Sequence, residues 1–277
     1  MHAIHDHYRG YLIDAWGVLH DGHTLYPYAL DCLKQLQSQG KFVVILSNAT
    51  RRHRTMTREL QALDIGPELY QSVLCSGELA WQALRKAKLN GLLPGRYGYY
   101  LGPASRRDFL DGLELDWVDD IEQADFILNT GPPEGEPPTT EGSESLLRMA
   151  VAADIPMICA NPDIIAVRDG KAGICAGALA ARYRELGASR IDYFGKPYSP
   201  IYAAAWPLFD GLARSEVLAV GDAFVTDIRG ARRAGLDSCL IASGIHQHEL
   251  TPLSERSIRQ AAPPDAMPTY ASEFFAW

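Results

Sequence analysis

The sequence predicts an α/β protein in which helices wrap a parallel sheet and a second, smaller α/β domain interrupts the first. Three observations predict it. Short apolar runs alternate with stretches of helical periodicity. The alternation breaks at Asn90-Gly91-Leu92-Leu93-Pro94-Gly95 and again near Gly187-Ala188-Ser189, both of linker composition. The length, 277 residues, is generous for one compact domain and comfortable for two. A split domain of residues 1–90 plus 188–277, interrupted by residues 91–187, accounts for all three.

The elements follow in order. Tyr11-Leu12-Ile13 reads as a buried strand ending at Asp14, and Phe42-Val43-Val44-Ile45-Leu46 as a second, ending at Ser47. Between them Ala29, Cys32, Leu33 and Leu36 recur at helical spacing, with Gly40 as a stop. Val73-Leu74-Cys75 precedes a helix over 78–87. In the insertion, 97–101, 126–128 and 157–159 read as strands, and 105–113 and 143–153 as helices. Residues 166–174 resemble a hairpin turning at Asp169-Gly170, and 130–142, rich in Pro and Gly, a long surface loop. Beyond the second linker come strands at 191–194, 217–220 and 238–241. Ser199-Pro200 opens a helix that Pro207 ends or kinks.

Composition narrows the function classes. Hydrophobic residues make up 47 %, enough for a buried core. A formal charge of −8 and a sequence pI of about 5.5 argue against a general nucleic-acid or membrane-surface binder, which carries a basic excess. They leave room for a phosphorylated substrate at a locally positive site. Cys32, Cys75, Cys159, Cys175 and Cys239 are scattered without a Cys-x-x-Cys pair, which predicts buried thiols in a reducing, cytoplasmic setting. No run is long and apolar enough to span a bilayer, and Met1 to His7 lacks the apolar stretch of a signal peptide.

Four polar clusters follow directly on strand-like runs, and in an open parallel sheet the carboxyl ends of strands line the ligand crevice. Asp14-Ala15-Trp16-Gly17 presents a carboxylate as nucleophile or metal ligand, or simply forms a turn. Ser47-Asn48-Ala49-Thr50 offers a hydroxyl and backbone N–H groups to a phosphate oxygen, or caps a helix. Lys196, between Gly195 and Pro197, is a cation at a strand mouth or a solvated surface lysine. Gly221-Asp222-Ala223-Phe224-Val225-Thr226-Asp227 is the most specific. Asp222 is placed to bind a hard cation, and Asp227 to orient it or to cap a helix starting near Thr226.

In this order the clusters resemble the motifs of the haloacid dehalogenase superfamily: an aspartate, a Ser/Thr, a Lys, then Gly-Asp-x-x-x-x-Asp. The resemblance covers essentially the whole chain. An insertion between the second and third motifs, with Ser76-Gly77-Glu78 and Ala160-Asn161-Pro162-Asp163, is similar to the class IIA branch of sugar-phosphatase-like and p-nitrophenylphosphatase-like proteins. The stretch Asp14 to Gly22 resembles a bacterial subgroup with Asp-x-Trp in place of Asp-x-Asp.

That resemblance implies a Rossmann-like three-layer core with an inserted α/β cap, acting as a Mg2+-dependent phosphatase on a small, sugar phosphate-like monoester. It makes Asp14 the nucleophile that forms an aspartyl-phosphate. Mg2+ would be held by Asp14, the backbone carbonyl of Trp16 and Asp222, with Asp227 beside them. Ser47 and Lys196 would neutralise the transferring group. Substrate would be bound by Ser47, Asn48 and Lys196, and by Asn161 and Asp163 of the cap. The expected partner is a small phosphorylated metabolite, with a homodimer left open.

One departure matters. Phosphatases of the family carry a second aspartate two residues after the nucleophile, as general acid and base, and this chain has Trp16 there. An indole has no proton to give at neutral pH, and losing the role costs about 10²–10⁴-fold in rate. Either His20, Asp21, His23 or Asp163 substitutes, or the enzyme is slow or prefers leaving groups that need little protonation. Two rivals remain: a non-catalytic phosphate-binding module, and a 2-haloacid dehalogenase. The second has an aromatic residue at this position but works without a metal, against which the pair Asp222 and Asp227 weighs.

Overall fold

A computed structural model describes residues 1–135, 139–168 and 171–277. The chain divides into two compact units. The first comprises Met1–Ser47, His53–Leu74 and Lys196–Trp277, the second Asn48–Arg52 and Cys75–Gly195.

The first unit is built on a six-stranded sheet in the order Tyr270–Ser272, Asp237–Ile241, Val217–Gly221, Gly10–Ile13, Phe42–Ser47, Ser72–Cys75. Gly10–Ile13 pairs in parallel with both Phe42–Ser47 and Val217–Gly221, and the next two strands extend the parallel run. The central strands are buried and almost continuously apolar, as strands covered on both faces must be. Helix Pro27–Ser38 starts on a proline, whose missing N–H costs nothing at a helix start. It buries Ala29, Cys32, Leu33 and Leu36, and Gly40 follows its end at φ +66°.

The second unit repeats the architecture with a five-stranded parallel sheet in the order Ile191–Tyr193, Met157–Cys159, Phe126–Asn129, Tyr97–Leu101, Asp116–Val118. Its central strand shows how alternation builds two cores. Ile127 faces Leu147, Ala150, Leu179 and Tyr183, from helices Glu144–Ala152 and Ala176–Glu185. Phe126 and Leu128 face Trp81 and Leu84, from helix Ser76–Leu89. The result is three layers.

Some elements depart from the sequence expectation. Helix Ser76–Leu89 and strand Ile191–Tyr193, read with the split core, pack within the second unit. Trp81 and Leu84 cover one face of its sheet, and Ile191–Tyr193 pairs with Met157–Cys159. The helix expected over 105–113 is a 3₁₀ stretch, Ala104–Leu110, broken at Arg106. The helix expected near Thr226 opens with a π turn, Phe224–Ile228, and becomes α only at Arg229–Arg233. Asp116–Val118 and Tyr270–Ser272 are three-residue edge strands that carry no run long enough to read. The helix opened by Ser199 ends at Ala205, and Pro207 lies in the 3₁₀ turn that follows. Ile165–Arg168 and Lys171–Ile174 pair antiparallel; the expected turn at Asp169-Gly170 lies outside the described residues, as does the 136–138 stretch of the expected loop. Among the described residues no helix is long and apolar enough to cross a membrane. All five cysteines are buried, and none is in a disulfide.

Candidate active site

Strand register brings the first group together. Ile13 is level with Ile45 on one side and Val220 on the other. Asp14 lies one residue past that level, and Ser47 and Asp222 two. The Asp14 N–H donates to Val220 O at 2.8 Å, so Asp14 is still held by the sheet. Asp14, Ser47, Lys196, Asp222 and Asp227 are all buried, with 3–8 % of their surface exposed.

Lys196 is the hub of the charges. Its Nζ lies 2.6 Å from Asp14 Oδ1 and 2.7 Å from Asp227 Oδ1. The other oxygen of Asp227 accepts the Ala223 N–H at 3.1 Å. Asp222 Oδ2 accepts the Ile245 N–H at 2.8 Å. Carboxylate oxygens of Asp14, Asp222 and Asp227 lie within 4.8 Å of one another. Burial, reinforced by Asp227 and Asp222 and opposed by Lys196, holds Asp14 well above the usual carboxylate range. Burial works against the Lys196 ammonium too, but Asp14 and Asp227 outweigh it and raise its pKa.

Three clustered carboxylates, two of them paired with one ammonium, leave an excess of buried negative charge, and oxygen donors of this kind suit a hard divalent cation. The backbone supports the same conclusion. At Gly17, with φ +80°, a Cβ would fall 1.9 Å from Asp222 Oδ2; at Gly244 it would fall 2.1 Å from the same atom. Two bare backbone segments therefore close on one carboxylate oxygen, and Gly17, the residue after Trp16, packs against Asp222. Asp227 fits an orienting role, because its two oxygens engage Lys196 and the turn backbone.

The segment after Asp14 is locked around Trp16. Its indole lies edge-on to His20, with ring centroids 5.7 Å apart, and a Cβ on Gly22 would sit 2.2 Å from Cη2. The Gly22 N–H donates to His20 Nδ1 at 2.9 Å, and burial lowers the pKa of His20, against the pull of Asp21 and Glu59. Asp21 Oδ1 accepts the N–H groups of His23 and Thr24, which hold its pKa below the usual range. Both residues are used by the turn itself.

The second unit holds the remaining expected residues together. Asn48 Nδ2 donates to Asp163 Oδ1 at 2.8 Å, and the Asp163 N–H donates to Asn161 Oδ1 at 2.8 Å. Arg52 pairs with Glu78 at 2.7 Å and lies over the Trp81 ring at 3.6 Å, so its guanidinium is built into the fold.

Sequence reasoning missed three contributors in the first unit: Gly17, Gly244 and Tyr202. Tyr202 lines a cavity of about 10 Å³ with Asp14, Lys196 and Asp227. Its hydroxyl lies where a Cβ on Gly230 would come within 2.1 Å. Only the glycines left a trace, as turn residues in Asp-Ala-Trp-Gly and Ala-Ser-Gly.

Comparison with known proteins places this geometry. Residues 11–114 match the model of the haloacid dehalogenase-like hydrolases, and 193–267 the HAD-hydrolase-like model. The chain is 24 % identical to the 5′-nucleotidase YutF of Bacillus subtilis, over 87 % of this chain and 90 % of that one. It is 24 % identical to an acid sugar phosphatase of Staphylococcus epidermidis, over 88 % and 90 %. A haloacid dehalogenase-like hydrolase from Brucella suis superposes with a TM-score of 0.83 at 28 % identity, over 98 % of this chain and 97 % of that one. The chain belongs to the haloacid dehalogenase-like hydrolases.

Proposed function

We propose that this hydrolase, a phosphoric monoester hydrolase, acts on a small phosphorylated metabolite through Asp14 and requires Mg2+. The observation that carries the reading is the buried cluster of Asp14, Lys196, Asp222 and Asp227 at the carboxyl ends of the central strands. Relatives named as a sugar phosphatase and a 5′-nucleotidase support the substrate class. The five buried thiols fit a cytoplasmic setting.

An Asp14 carboxylate oxygen attacks phosphorus. The new O–P bond forms as the ester O–P bond breaks, and the leaving alkoxide or phenoxide departs in line. Water then cleaves the aspartyl-phosphate, returning Asp14 and releasing inorganic phosphate. Lys196 and Ser47 hold the phosphoryl oxygens, where developing charge meets fixed donors in a dry site. Asp227 keeps Lys196 in place. Asp14, Asp222 and the Trp16 carbonyl would hold Mg2+, which supplies charge neutralisation at the phosphoryl oxygens. It also favours the ionised form of Asp14 that burial disfavours.

The leaving oxygen receives no proton from Trp16. His20 accepts a backbone N–H at Nδ1, and Asp21 is spent on its turn. The reading is therefore of a slow enzyme, or of one suited to leaving groups stable as anions. A screen of sugar, nucleotide and aryl phosphates with Mg2+, wild type against Asp14→Asn, tests it. Release from at least one ester, lost by about 10³-fold or more in Asp14→Asn, is expected. No release from any ester turns the reading toward phosphate binding, and metal-free chloride release from a 2-haloacid toward dehalogenation.

A further inference from the structure

Asn161, Pro162 and Asp163 grip two residues whose chain neighbours matter. Asn48, 4 % exposed, donates from Nδ2 to Asp163 Oδ1 at 2.8 Å, across 115 residues of sequence. Gly195 sits at φ +131°, where a Cβ would fall 2.6 Å from Asn48 Oδ1, 2.6 Å from Pro162 Cδ and 3.0 Å from Ser76 Cβ. The carboxamide of Asn48 is thus wedged between Asp163 and the bare backbone of Gly195. The loop that does this is itself held by hydrogen bonds and close packing. Its Asp163 N–H is turned onto Asn161 Oδ1. The Gly177 N–H donates to Asp163 O at 3.1 Å, and a Cβ on Gly177 would fall 2.1 Å from Pro162 O.

Asn48 is bonded to Ser47, and Gly195 to Lys196. One clasp therefore holds the residue after the phosphate-binding hydroxyl and the residue before the phosphate-binding amine. We propose that Asp163 is a positioning residue: by fixing Asn48 against Gly195 it sets the backbone that carries Ser47 and Lys196, and it acts on the phosphoryl group through them. This rests on the phosphatase reading for the roles of Ser47 and Lys196. It differs from the expectation that Asp163 is a substrate ligand, because an Asp163 that touched the leaving group would not govern affinity for phosphate alone.

The test uses the full chain with Mg2+ and inorganic phosphate as the probe, titrated calorimetrically into wild type, Asp163→Ala, Asp163→Asn, Asn48→Ala and the Asn48→Ala/Asp163→Ala double variant. Turnover of p-nitrophenyl phosphate is measured beside it. Removing one hydrogen bond of this kind should weaken phosphate about tenfold in Asp163→Ala and lower kcat/KM by a matching factor. Asp163→Asn retains an accepting oxygen and should lose less than about threefold. The double variant should be no weaker than the worse single variant, since both break the same bond. Unchanged phosphate affinity in Asp163→Ala and Asn48→Ala, or additive losses in the double variant, overturns the proposal. If Asp163→Ala does not fold, Asn48→Ala and Asp163→Asn carry the comparison, with melting temperatures alongside. A wild type that binds phosphate but hydrolyses no ester defeats the phosphatase reading while the clasp is still measured by affinity. A wild type that binds no phosphate overturns the clasp as well.

Discussion

Two parallel sheets in one chain share an architecture and differ in chemistry. In the first unit the strand ends carry Asp14, Ser47 and Asp222, and the bonds they make leave a concentration of buried charge around Lys196. In the second, the corresponding ends carry Asn129 and the Cys159-Ala160-Asn161 stretch, and their polar groups are consumed by the fold. Asn129 Nδ2 donates to Ala176 O at 2.9 Å, and its Oδ1 accepts the Gly131 N–H at 3.2 Å. Asn161 turns back onto the Asp163 N–H. The lesson is that a parallel sheet offers an edge, and that residual unbalanced charge makes the edge a site.

That contrast breaks most readily at Lys196. Lys196→Met leaves Asp14 and Asp227 buried without their cation, and should cost about 3–5 kcal/mol of stability as well as turnover. An unchanged denaturation midpoint would show that the charges of the first sheet are not coupled as described. Trp16→Asp sharpens it in the other direction. Supplying a proton donor should raise kcat on poor leaving groups by up to about 10²-fold, and flatten the dependence of rate on leaving-group pKa across a series of aryl phosphates. No gain, with loss on replacing His20, would assign the proton to His20 instead.

Smaller effects separate the two sheets residue by residue. Asn129→Ala strips a buried donor and acceptor from the second sheet, and should cost about 1–3 kcal/mol with phosphate affinity unmoved. Gly17→Ala and Gly40→Ala form a matched pair. Both glycines have positive φ, +80° and +66°, but a Cβ at Gly17 meets Asp222 whereas at Gly40 nothing lies within 4 Å. Gly40→Ala should lose about 1–2 kcal/mol through backbone strain, and Gly17→Ala more, because its Cβ also collides with Asp222. Only Gly17→Ala should also weaken Mg2+ binding, read by titration of the metal.

The sequence made the charged edge legible because Asp14, Ser47 and Asp222 each end an apolar run, and parallel register then brings them to within one residue of the same level. Lys196 was legible only in the company of the others, since a lone lysine is ordinarily solvated. What escaped depended on contacts between distant segments: Asn48 with Asp163, Gly244 with Asp222, Tyr202 over Gly230. No local pattern records such pairs. The boundary of the units escaped for a related reason. Linker composition marks Asn90 to Gly95, but Trp81 and Leu84 bury against Phe126 and Leu128, and burial rather than the linker decides which unit a helix joins.

In the proposed reaction Asp14 takes the phosphoryl group. The direct measurement is to quench the enzyme during turnover of p-nitrophenyl phosphate with Mg2+, reduce with borohydride and identify the modified residue by peptide mass spectrometry. An aspartyl-phosphate at Asp14 is reduced to homoserine, so homoserine at position 14, dependent on substrate, is the predicted result. Turnover with an unmodified Asp14, or with the modification at another carboxylate, would contradict the account.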